Sequence, residues 1–416
     1  MKNKKLLLWI MSAVLLAIGG LVYFAISEDF KSGKNSQLFI PEISKELISQ
    51  KIEQGKEFLF RAENKETGGF YKKYDALNDD FGKQVHTVYS ASAVYTLLNI
   101  YEFDKDQRIP DGIDRWTDFL LSMQNSDKKD KRYGAFSYSY DLEKKEKEKK
   151  YVVGTAALST LTLLKLYETD NNSEYLEASK LAGDWLTTMQ EEDGGMKQYS
   201  RYDENKKKWV SVAKESFLYD GQVLTALSRL YRKTGEKKYY FSAEKIALRL
   251  AELYEEKKGY IVDEVRPENP ISNSWVVMSL MEFYKNASQD KRYKNIVFEL
   301  GDKILANQKK NSDNLLVYGM WKGAYSTSGV GWISEVMAET HKFCKEENRP
   351  DCDKYKEAVF LAAKWLFQNT YSKENSSFLP NSEMAEGGIF WNENNRYVRI
   401  DSNCHALNSY LAIVNN

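Results

Sequence analysis

Apolar and polar positions along the chain repeat as pairs of helices, about six times between residue 45 and the C-terminus. In the clearest copy, residues 174–190 carry apolar side chains at helical spacing beside charged ones, and residues 216–231 are more uniformly apolar. The first pattern is typical of an amphipathic helix and the second of a buried one. A period of roughly 55–70 residues built from helix pairs indicates a repeat architecture.

The periodicity predicts approximate bounds for six helical hairpins. The first helices are expected near 45–62, 111–124, 174–190, 237–256, 291–308 and 353–370, and the second helices near 86–103, 152–168, 216–232, 273–285, 330–345 and 402–413. Because the second helices are apolar on nearly every face, we expect them to form an inner ring inside the charged first helices. Six pairs are enough to close a ring around one central cavity, so the sequence predicts an all-α ring.

The connections between these helices are asymmetric. Those from a second helix to the next first helix are mostly short, as at 233–236, whereas those inside the hairpins are long and are often marked by Gly-Gly. Alternating apolar and polar residues predict short strands in the long loops. Long loops in compact domains are usually functional, and here they share one end of the ring with the positive N-termini of the inner helices. We place the functional site on that face.

The N-terminal segment is set apart from the repeats. Lys2, Lys4 and Lys5 precede an uncharged apolar run over residues 6–26. A run close to ~20 residues crosses a bilayer as a helix, and lysines before it orient the remainder outside the cytoplasm. A cleaved signal peptide is the alternative, with a small-x-small cleavage site at 25–27. Both interpretations export the folded part.

Three regions follow from this division. Residues 1–27 are a transmembrane anchor or signal segment, residues 28–44 a polar tether, and residues 45–416 the ring domain. The expected location is the cell membrane, as a single-pass protein with its C-terminal domain outside the cytoplasm. If the first segment is cleaved, the domain is secreted instead.

Charge and cysteine content narrow the expected partners. The 60 Lys and Arg residues balance the 60 Asp and Glu residues, so no basic bias recruits nucleic acid. Tyrosine is abundant, with 28 residues, and suits both cores and wet binding surfaces. Cys344 and Cys352 flank a short turn and either form a disulfide, as export permits, or stay as free thiols. Cys404 remains unpaired in both cases.

The third hairpin carries a recognisable motif. Its first helix ends with Trp-Leu-x-x-Met-Gln at 185–190, and Asp-Gly-Gly follows at 193–195. With six hairpins and long loops on one side, this resembles the α/α-toroid superfamilies over about residues 45–416. They include six-hairpin glycosidases, toroidal polysaccharide lyases, the helical domain of glucuronyl C5-epimerases, and the terpenoid cyclase and prenyltransferase toroids. The resemblance implies an (α/α)6 toroid without fixing one family.

Motifs of single toroid families are mostly missing. The Asp-x-Asp-Asp motif of terpene cyclases is absent, since residues 78–80 read Asn-Asp-Asp. Cys404 and His405 resemble the adjacent zinc ligands of lanthionine cyclases, but the further Cys motif of that family is missing, so no metal or cofactor is predicted. Export favours the glycan-active branches, because polysaccharides are the bulk of what lies outside a cell.

Two carboxyl groups, one protonated and one ionised, are the usual requirement for glycoside hydrolysis. Asp220 lies just inside the third inner helix, where a carboxylate is costly unless it is paired or faces a cavity. Glu335 lies one turn inside the fifth inner helix, and Glu215 precedes the third. Asp220 and Glu335 are the preferred catalytic pair. Buried ion pairs are the alternative, and for Glu215 a favourable helix end.

Further acid–base candidates stand where inner helices begin. Asp401 either caps the last helix or supports catalysis. His405 follows one turn later, and His86 stands at the first inner helix; histidine is the usual proton carrier near neutral pH. The alternative for both histidines is a satisfied position in the core.

Substrate binding is predicted from aromatic and polar residues in the long loops and at inner-helix starts. Sugar rings present apolar C–H faces that pack on aromatic rings. The predicted binding residues are Tyr74, Asp80, Tyr138, Tyr140, Tyr199, Trp275, Trp332 and Arg399. The alternative is that many of them fill the core of the loops, and that Asp80 serves a turn.

The favoured function is a glycosidase-like enzyme that hydrolyses a polysaccharide or oligosaccharide in the central cavity. A uronyl epimerase or a polysaccharide lyase is the enzymatic alternative, with Tyr or His as base and Arg399 neutralising the acid group of the substrate. A toroid that binds glycan or protein without turnover is the non-enzymatic alternative.

Overall fold

The computed structural model describes residues 43–265, 269–311 and 313–415. The predicted membrane segment over 6–26 lies outside these residues, as does most of the predicted tether. Among the helices of the described ranges, none is long and apolar enough to cross a membrane.

Helices alternate between two concentric rings in the described part of the chain. The outer helices are α1 (Lys45–Arg61), α3 (Arg108–Met123), α5 (Ser173–Thr188), α7 (Lys237–Lys257), α9 (Lys291–Ala306) and α11 (Asp353–Gln368). The inner helices are α2 (Thr87–Asp104), α4 (Val153–Asp170), α6 (Phe217–Thr234), α8 (Pro270–Asn286), α10 (Thr327–Glu346) and α13 (Ile400–Val414), and the single turn α12 (Ser382–Ala385) lies in the last long loop. The six predicted hairpins are confirmed.

The inner ring is closed. Each inner helix packs against the inner helix before it and after it, and α13 packs against α2. Inner helices bury nearly every face because they touch two inner neighbours and the outer ring. In α4, for example, residues 159–164 are all buried. The predicted division into a buried inner ring and a charged outer ring is therefore confirmed.

Short strands occupy the long loops, as predicted. They are β1 (Lys73–Tyr74), β2 (Gln84–His86), β3 (Ser139–Asp141), β4 (Glu146–Lys147), β5 (Lys150–Val152), β6 (Tyr199–Asp203), β7 (Lys208–Val212), β8 (Phe390–Asn392) and β9 (Asn395–Arg399). They form three antiparallel sheets with the orders β1-β9-β8, β2-β3-β4 and β5-β6-β7. Because β1 pairs with β9, with Lys73 opposite Arg399, the first and last loops join on the same face.

Glycine turns in five long loops pack onto the next outer helix around the ring. They contain Gly68, Gly134, Gly194, Gly319 and Gly387, each with positive φ. At Gly194 a Cβ atom would lie 2.6 Å from the carbonyl oxygen of Lys245 in α7. At Gly387 it would lie 2.0 Å from the carbonyl oxygen of Gln54, so the last loop packs back onto α1. Only glycine allows this backbone conformation and this close approach.

A glutamine at the end of three outer helices joins the same units. Gln190 Nε2 donates to the carbonyl oxygen of Gly194 in its own loop and, at 2.9 Å, to that of Ser242 in α7. Gln124 and Gln308 make the equivalent pair of hydrogen bonds. The Met-Gln and Gly-Gly motif is thus the joint between successive hairpins.

The cysteines form one disulfide and leave one free thiol. Cys344, near the end of α10, is bonded to Cys352, the residue before α11. Cys404 is free and buried in α13. Burial raises the pKa of the Cys404 thiol well above its usual range.

Candidate active site

A cavity opens at the face that carries the long loops. We call it the mouth; its volume is about 460 Å³, and all six inner helices line it with their first turns. Its lining includes Tyr89, Ser92, Tyr138, Gly154, Thr155, Leu158, Tyr219, Gln222, Ile271, Trp275, Ser328, Trp332, Trp391, Arg399, Asp401 and His405. The predicted position of the site, at the inner-helix N-termini, coincides with this cavity.

A histidine–carboxylate pair lies at the base of the mouth. His405 Nδ1 is 2.8 Å from Glu335 Oε2, and Asn408 Nδ2 donates to Glu335 Oε1 at 3.0 Å. A carboxylate only accepts hydrogen bonds, so Nδ1 is the donor of this pair. Nε2 is then the ring nitrogen left to exchange a proton with a ligand. The His405 side chain lines both the mouth and the smaller cavity below it.

An arginine–aspartate pair forms one side of the mouth. Arg399 donates from Nε to Asp401 Oδ1 at 2.9 Å and from Nη2 to Asp401 Oδ2, and Ser328 Oγ donates to Asp401 Oδ2 at 3.0 Å. Nη2 of Arg399 also donates to the hydroxyl of Tyr89 at 2.8 Å. The two oxygens of Asp401 are therefore occupied, and the charge of Arg399 is largely matched by its partner.

Aromatic rings form the walls. Trp275 from α8 and Trp332 from α10 stack with their centroids 3.7 Å apart, and the His405 ring meets Trp332 edge-on. Trp391 lies across the guanidinium of Arg399, 4.4 Å from its central carbon. Flat rings around polar groups are suited to sugar rings, which have apolar faces and polar edges.

His86 stands behind this wall. Its ring meets Tyr89 and Tyr138 edge-on, and the side chain is 9% exposed. Burial lowers the pKa of His86 to about 4, and Lys72 and Lys150 lower it further, against a hydrogen bond to the Gln84 backbone. The ring is therefore neutral near pH 7.

The mouth continues into the centre of the ring. A cavity of about 90 Å³ lies below it and shares Trp275, Trp332 and His405 as lining residues. At the opposite end of the ring is a larger cavity of about 500 Å³, which we call the vestibule, lined by the C-terminal halves of the inner helices. Arg229 and Glu335 line both the central cavity and the vestibule.

Comparisons with known proteins identify the fold. No protein-family model matches the chain, and no curated protein sequence matches it. Cellobiose 2-epimerase from Bacillus thermoamylovorans is similar in structure with a TM-score of 0.68 and 12% identity, over 89% of this chain and 98% of that one. An α-1,6-mannanase of Salegentibacter sp., solved with α-1,6-mannotriose, gives 0.63 and 12% over 88% and 99% of the chains. A heparin-specific unsaturated glucuronyl hydrolase gives 0.62 and 10% over 89% and 98%.

The chain is an α/α toroid. At these identities the likeness shows the fold alone, and the roles of the site residues stay predictions. The toroid brings together one subset of the predicted residues. These are Tyr138, Trp275, Trp332, Arg399, Asp401 and His405 in the mouth, with Glu335 bound to His405 and His86 behind Tyr138.

Asp220 and Glu215 lie apart from the mouth. Asp220 is buried, and its carboxylate accepts from Arg249 Nη1 at 3.3 Å and from the backbone N–H of Met196 at 3.1 Å. Glu215 is paired with the same guanidinium. Burial raises the pKa of Asp220 to about 7, against the lowering effect of Arg249. This arrangement favours the ion-pair alternative for both carboxyl groups.

Four predicted binding residues of the toroid also lie elsewhere. Tyr74 is buried in the loop core, where its hydroxyl donates to Asp79 at 2.6 Å. Asp80 is exposed in a turn and accepts from the backbone N–H of Gly82 at 2.8 Å. Tyr140 is paired opposite Val85 in the sheet. Tyr199 lines a separate surface groove beside the mouth.

The cysteine–histidine pair does not converge on one point. Cys404 is buried inside α13, whereas His405 faces Glu335. Among the described residues, the group whose ligand atoms lie close enough for a metal ion consists of Glu53, Glu57 and Asp106, away from the mouth. Lys56 and Arg108 already pair with these acids.

Several mouth residues were missed by the sequence reasoning. Tyr89 and Ser328 hold Arg399 and Asp401 in place, and Asn408 orients Glu335. All three lie within the first three turns of an inner helix. Polar residues inside an otherwise apolar helix are the signal that could have found them, because such positions are costly unless they face a cavity or a partner.

Proposed function

We propose that the toroid is a sugar-converting enzyme in which His405 carries a proton on and off the substrate. The observation that supports this most is the hydrogen bond between His405 Nδ1 and Glu335. A carboxylate behind the ring fixes the tautomer and stabilises the imidazolium that forms when Nε2 takes a proton. This arrangement suits general acid–base catalysis.

The chemistry that fits is proton transfer at a carbon beside a carbonyl group. Nε2 of His405 takes the proton from that carbon, and the C–H electron pair moves toward the carbonyl oxygen to give an enediolate. The imidazolium returns the proton to the opposite face of the same carbon, once the enediolate has turned over, to give an epimer. Its return to the neighbouring carbon, with the hydroxyl proton passing from one oxygen to the other, gives an isomer. No oxidant, reductant or water is consumed.

Similar structures support a carbohydrate substrate. They include a cellobiose 2-epimerase, a D-mannose isomerase and a sugar epimerase of a ruminal bacterium. These are properties of those proteins, which share 12–13% identity with this chain. The aromatic walls of the mouth are the corresponding feature here, because they offer flat surfaces to the apolar faces of a sugar ring.

Hydrolysis is the second candidate. It is favoured by two carboxyl groups at the site, Asp401 in the mouth and Glu335 below it, and by similar structures of a mannanase and a glucuronyl hydrolase. Against it, both carboxyl groups have both oxygens engaged by donors. A glycosidase needs one carboxylic acid that gives its proton to the leaving group.

Deuterium exchange distinguishes proton transfer at carbon from hydrolysis. The full-length chain is incubated in D2O with cellobiose, mannose, glucuronate and uronate-containing oligosaccharides. Carbon-bound deuterium is followed by NMR, and new reducing ends are assayed in parallel. We expect deuterium incorporation without new reducing ends, and we expect His405→Asn to lower the rate by about 10²–10⁴-fold, as removal of a general acid–base group does.

His341→Asn is the matched control. His341 belongs to the same inner ring but lies near Asp353, away from the mouth, so its loss should leave the exchange rate within about twofold. New reducing ends without carbon-bound deuterium would replace the proposal with hydrolysis. Equal rates for His405→Asn and the wild type would remove His405 from the mechanism, and binding without any turnover would support the non-catalytic alternative.

A further inference from the structure

Two lysines at the rim of the mouth lack acidic partners. Lys72 Nζ lies 5.9 Å from the centre of the Tyr89 ring, and Lys150 Nζ lies 4.7 Å from that of Tyr138 and 5.3 Å from that of Tyr199. Both side chains are half-buried. Within the described part of the chain, neither ammonium group has a carboxylate within 4.0 Å, whereas Lys56, Arg229, Arg249 and Arg399 do. We call these two residues the basic rim.

The carboxylates near these lysines already have hydrogen-bond partners. Glu148, which lines the same groove as Lys150, accepts from Ser139 Oγ at 2.8 Å. Asp401 receives both hydrogen bonds of the Arg399 fork, so it neutralises Arg399 rather than the basic rim. Burial lowers the pKa of Lys72, and Arg399, Lys73 and Lys150 lower it further against Asp401. Around Tyr89 and Tyr138 the four cations Lys72, Lys73, Lys150 and Arg399 therefore outnumber the two carboxylates Asp401 and Glu148, in a chain whose overall formal charge is +0.

Two helix ends add to this positive potential. Helices α2 and α4 begin beside the basic rim, without an acidic residue in the first turn and without a side-chain cap. Val88, Tyr89, Gly154 and Thr155, in those first turns, line the mouth. A helix N-terminus carries partial positive charge, which favours an anion.

We propose that Lys72 and Lys150 form a subsite for a negatively charged substituent of the sugar: a carboxylate, a sulfate or a phosphate. The substrate is then an acidic sugar whose ring lies against Tyr89 and Tyr138. The sequence-based expectation gave this role to Arg399, and the pairing with Asp401 moves it to the basic rim. The identity of the ligand as a sugar rests on the proposed function.

Binding is measured without relying on turnover. Calorimetry uses the full-length His405→Asn variant, so that a ligand is not converted during the titration. The probes are a hyaluronan tetrasaccharide for carboxylate, a chondroitin sulfate tetrasaccharide for sulfate, mannose 6-phosphate for phosphate, and the neutral chitotetraose as reference. The measurements are repeated at low and high salt.

We expect at least one acidic probe to bind more than about tenfold more tightly than chitotetraose at low salt, with the difference shrinking as salt screens the charges. The probe that binds best identifies carboxylate, sulfate or phosphate as the group. Equal affinity for acidic and neutral probes, or failure of every acidic probe to bind, overturns the subsite.

Variants locate the effect. Lys72→Gln and Lys150→Gln should each weaken the best acidic probe by about tenfold, the effect of one charge-assisted hydrogen bond, and leave chitotetraose unchanged. Lys149→Gln is the matched control, because the neighbouring Lys149 is exposed and pairs with Glu204 at 3.6 Å. Acidic binding that survives both rim substitutions would refute the assignment of these lysines.

The inference and the proposed function fail separately. If no substrate incorporates deuterium but acidic probes still bind through the basic rim, the subsite is supported. The protein then binds acidic sugars without converting them, and the proposed function fails. Exchange on neutral sugars alone, with no preference for acidic probes, would leave the enzyme standing and remove the subsite.

Discussion

The two ends of the toroid differ in how their charges are arranged, although their cavities are similar in size, about 460 and 500 Å³. At the mouth, aromatic rings surround a few polar groups, and Lys72 and Lys150 lack acidic partners among the described residues. In the vestibule, charged side chains from the inner helices pair across helix boundaries. Lys165 lies 2.7 Å from Glu102, and Lys233 lies 3.3 Å from Glu168.

One of these cross-helix pairs lies between the central cavity and the vestibule. Arg229 of α6 donates to both oxygens of Glu282 in α8 at 2.9 Å, and its Nη1 donates to the hydroxyl of Tyr95 in α2 at 3.2 Å. Asn286 donates to Glu282 at 2.8 Å. Burial alone would raise the pKa of Glu282. Arg229 lowers that pKa, and the net shift is downward.

The different charge arrangements of the two ends suit different roles, one in stability and one in binding. Charges that satisfy one another across the ring fix the spacing of the inner helices and offer little to a ligand. A surplus of cations beside the aromatic rings of the mouth costs stability and is compensated when an anion binds. We therefore propose a structural role for the vestibule and a ligand-binding role for the mouth, and the following substitutions test that division.

The largest expected effect is on stability, at the vestibule end. Arg229→Met leaves the Glu282 carboxylate, whose side chain is 14% exposed in the wall of the vestibule, without its main partner. We expect the free energy of unfolding to fall by about 2–4 kcal/mol. Urea unfolding followed by circular dichroism measures this. Adding Glu282→Met should restore much of the loss, because apolar pairs often replace buried ion pairs at little cost.

The matched control for that substitution is a surface pair. Arg292→Met removes a similar two-pronged contact with Glu255, which is about half exposed, and should cost no more than about 1 kcal/mol. A loss at Arg229 that is no larger than at Arg292 would contradict a structural role for the Arg229–Glu282 pair.

At the mouth end, the lowered pKa of His86 predicts that the stability of the protein depends on pH. That pKa falls from 6.5 in the unfolded chain to about 4 in the folded one, so between these values the unfolded state binds the proton first. The His86 contribution is present above pH 6.5 and is lost as the pH falls through about 4. We expect the wild type to lose about 2 kcal/mol relative to His86→Gln between pH 7 and pH 5.

Urea unfolding of the wild type and of His86→Gln at pH 7, 6 and 5 tests the sign of this difference in stability. The raised pKa of Asp220 acts in the opposite direction, since that group loses its contribution as the pH rises toward 7. This opposing effect is the same in the wild type and in His86→Gln, so it cancels in the difference. Parallel stability curves for the two proteins would show that His86 titrates normally in the folded state.

The hairpins could be predicted because their signals are local. Apolar spacing sets each helix, and all twelve predicted helices match the structure to within three residues at each end. The glycine pairs marked the repeat, but their reason is tertiary. Gly194 and Gly387 are needed because a backbone carbonyl of the next outer helix occupies the space of a Cβ atom.

The candidate site could be predicted only in part, because helix rotation decides which polar residues meet. The sequence predicts both Asp220 and Glu335 about one turn inside an inner helix. Asp220 does lie there in α6 and turns outward to Arg249 of α7, whereas Glu335 lies just over two turns inside α10, which begins at Thr327, and turns inward to His405. Periodicity fixes the rotation of a helix to within about one residue, or roughly 100°, and that margin separates these two outcomes.

The smallest expected effect distinguishes two tryptophans with the same contacts. Trp391 lies on Tyr397 and on the Arg399 guanidinium in the mouth, and Trp209 lies on Tyr151 and on the Arg132 guanidinium outside it. Each Ala substitution should cost about 1 kcal/mol of stability, the value of a cation–π contact. Calorimetry with chitotetraose and the hyaluronan tetrasaccharide should show about fivefold weaker binding for Trp391→Ala, a loss of about 1 kcal/mol, and none for Trp209→Ala. Equal effects on binding would mean that the mouth is no more a sugar site than the outer surface.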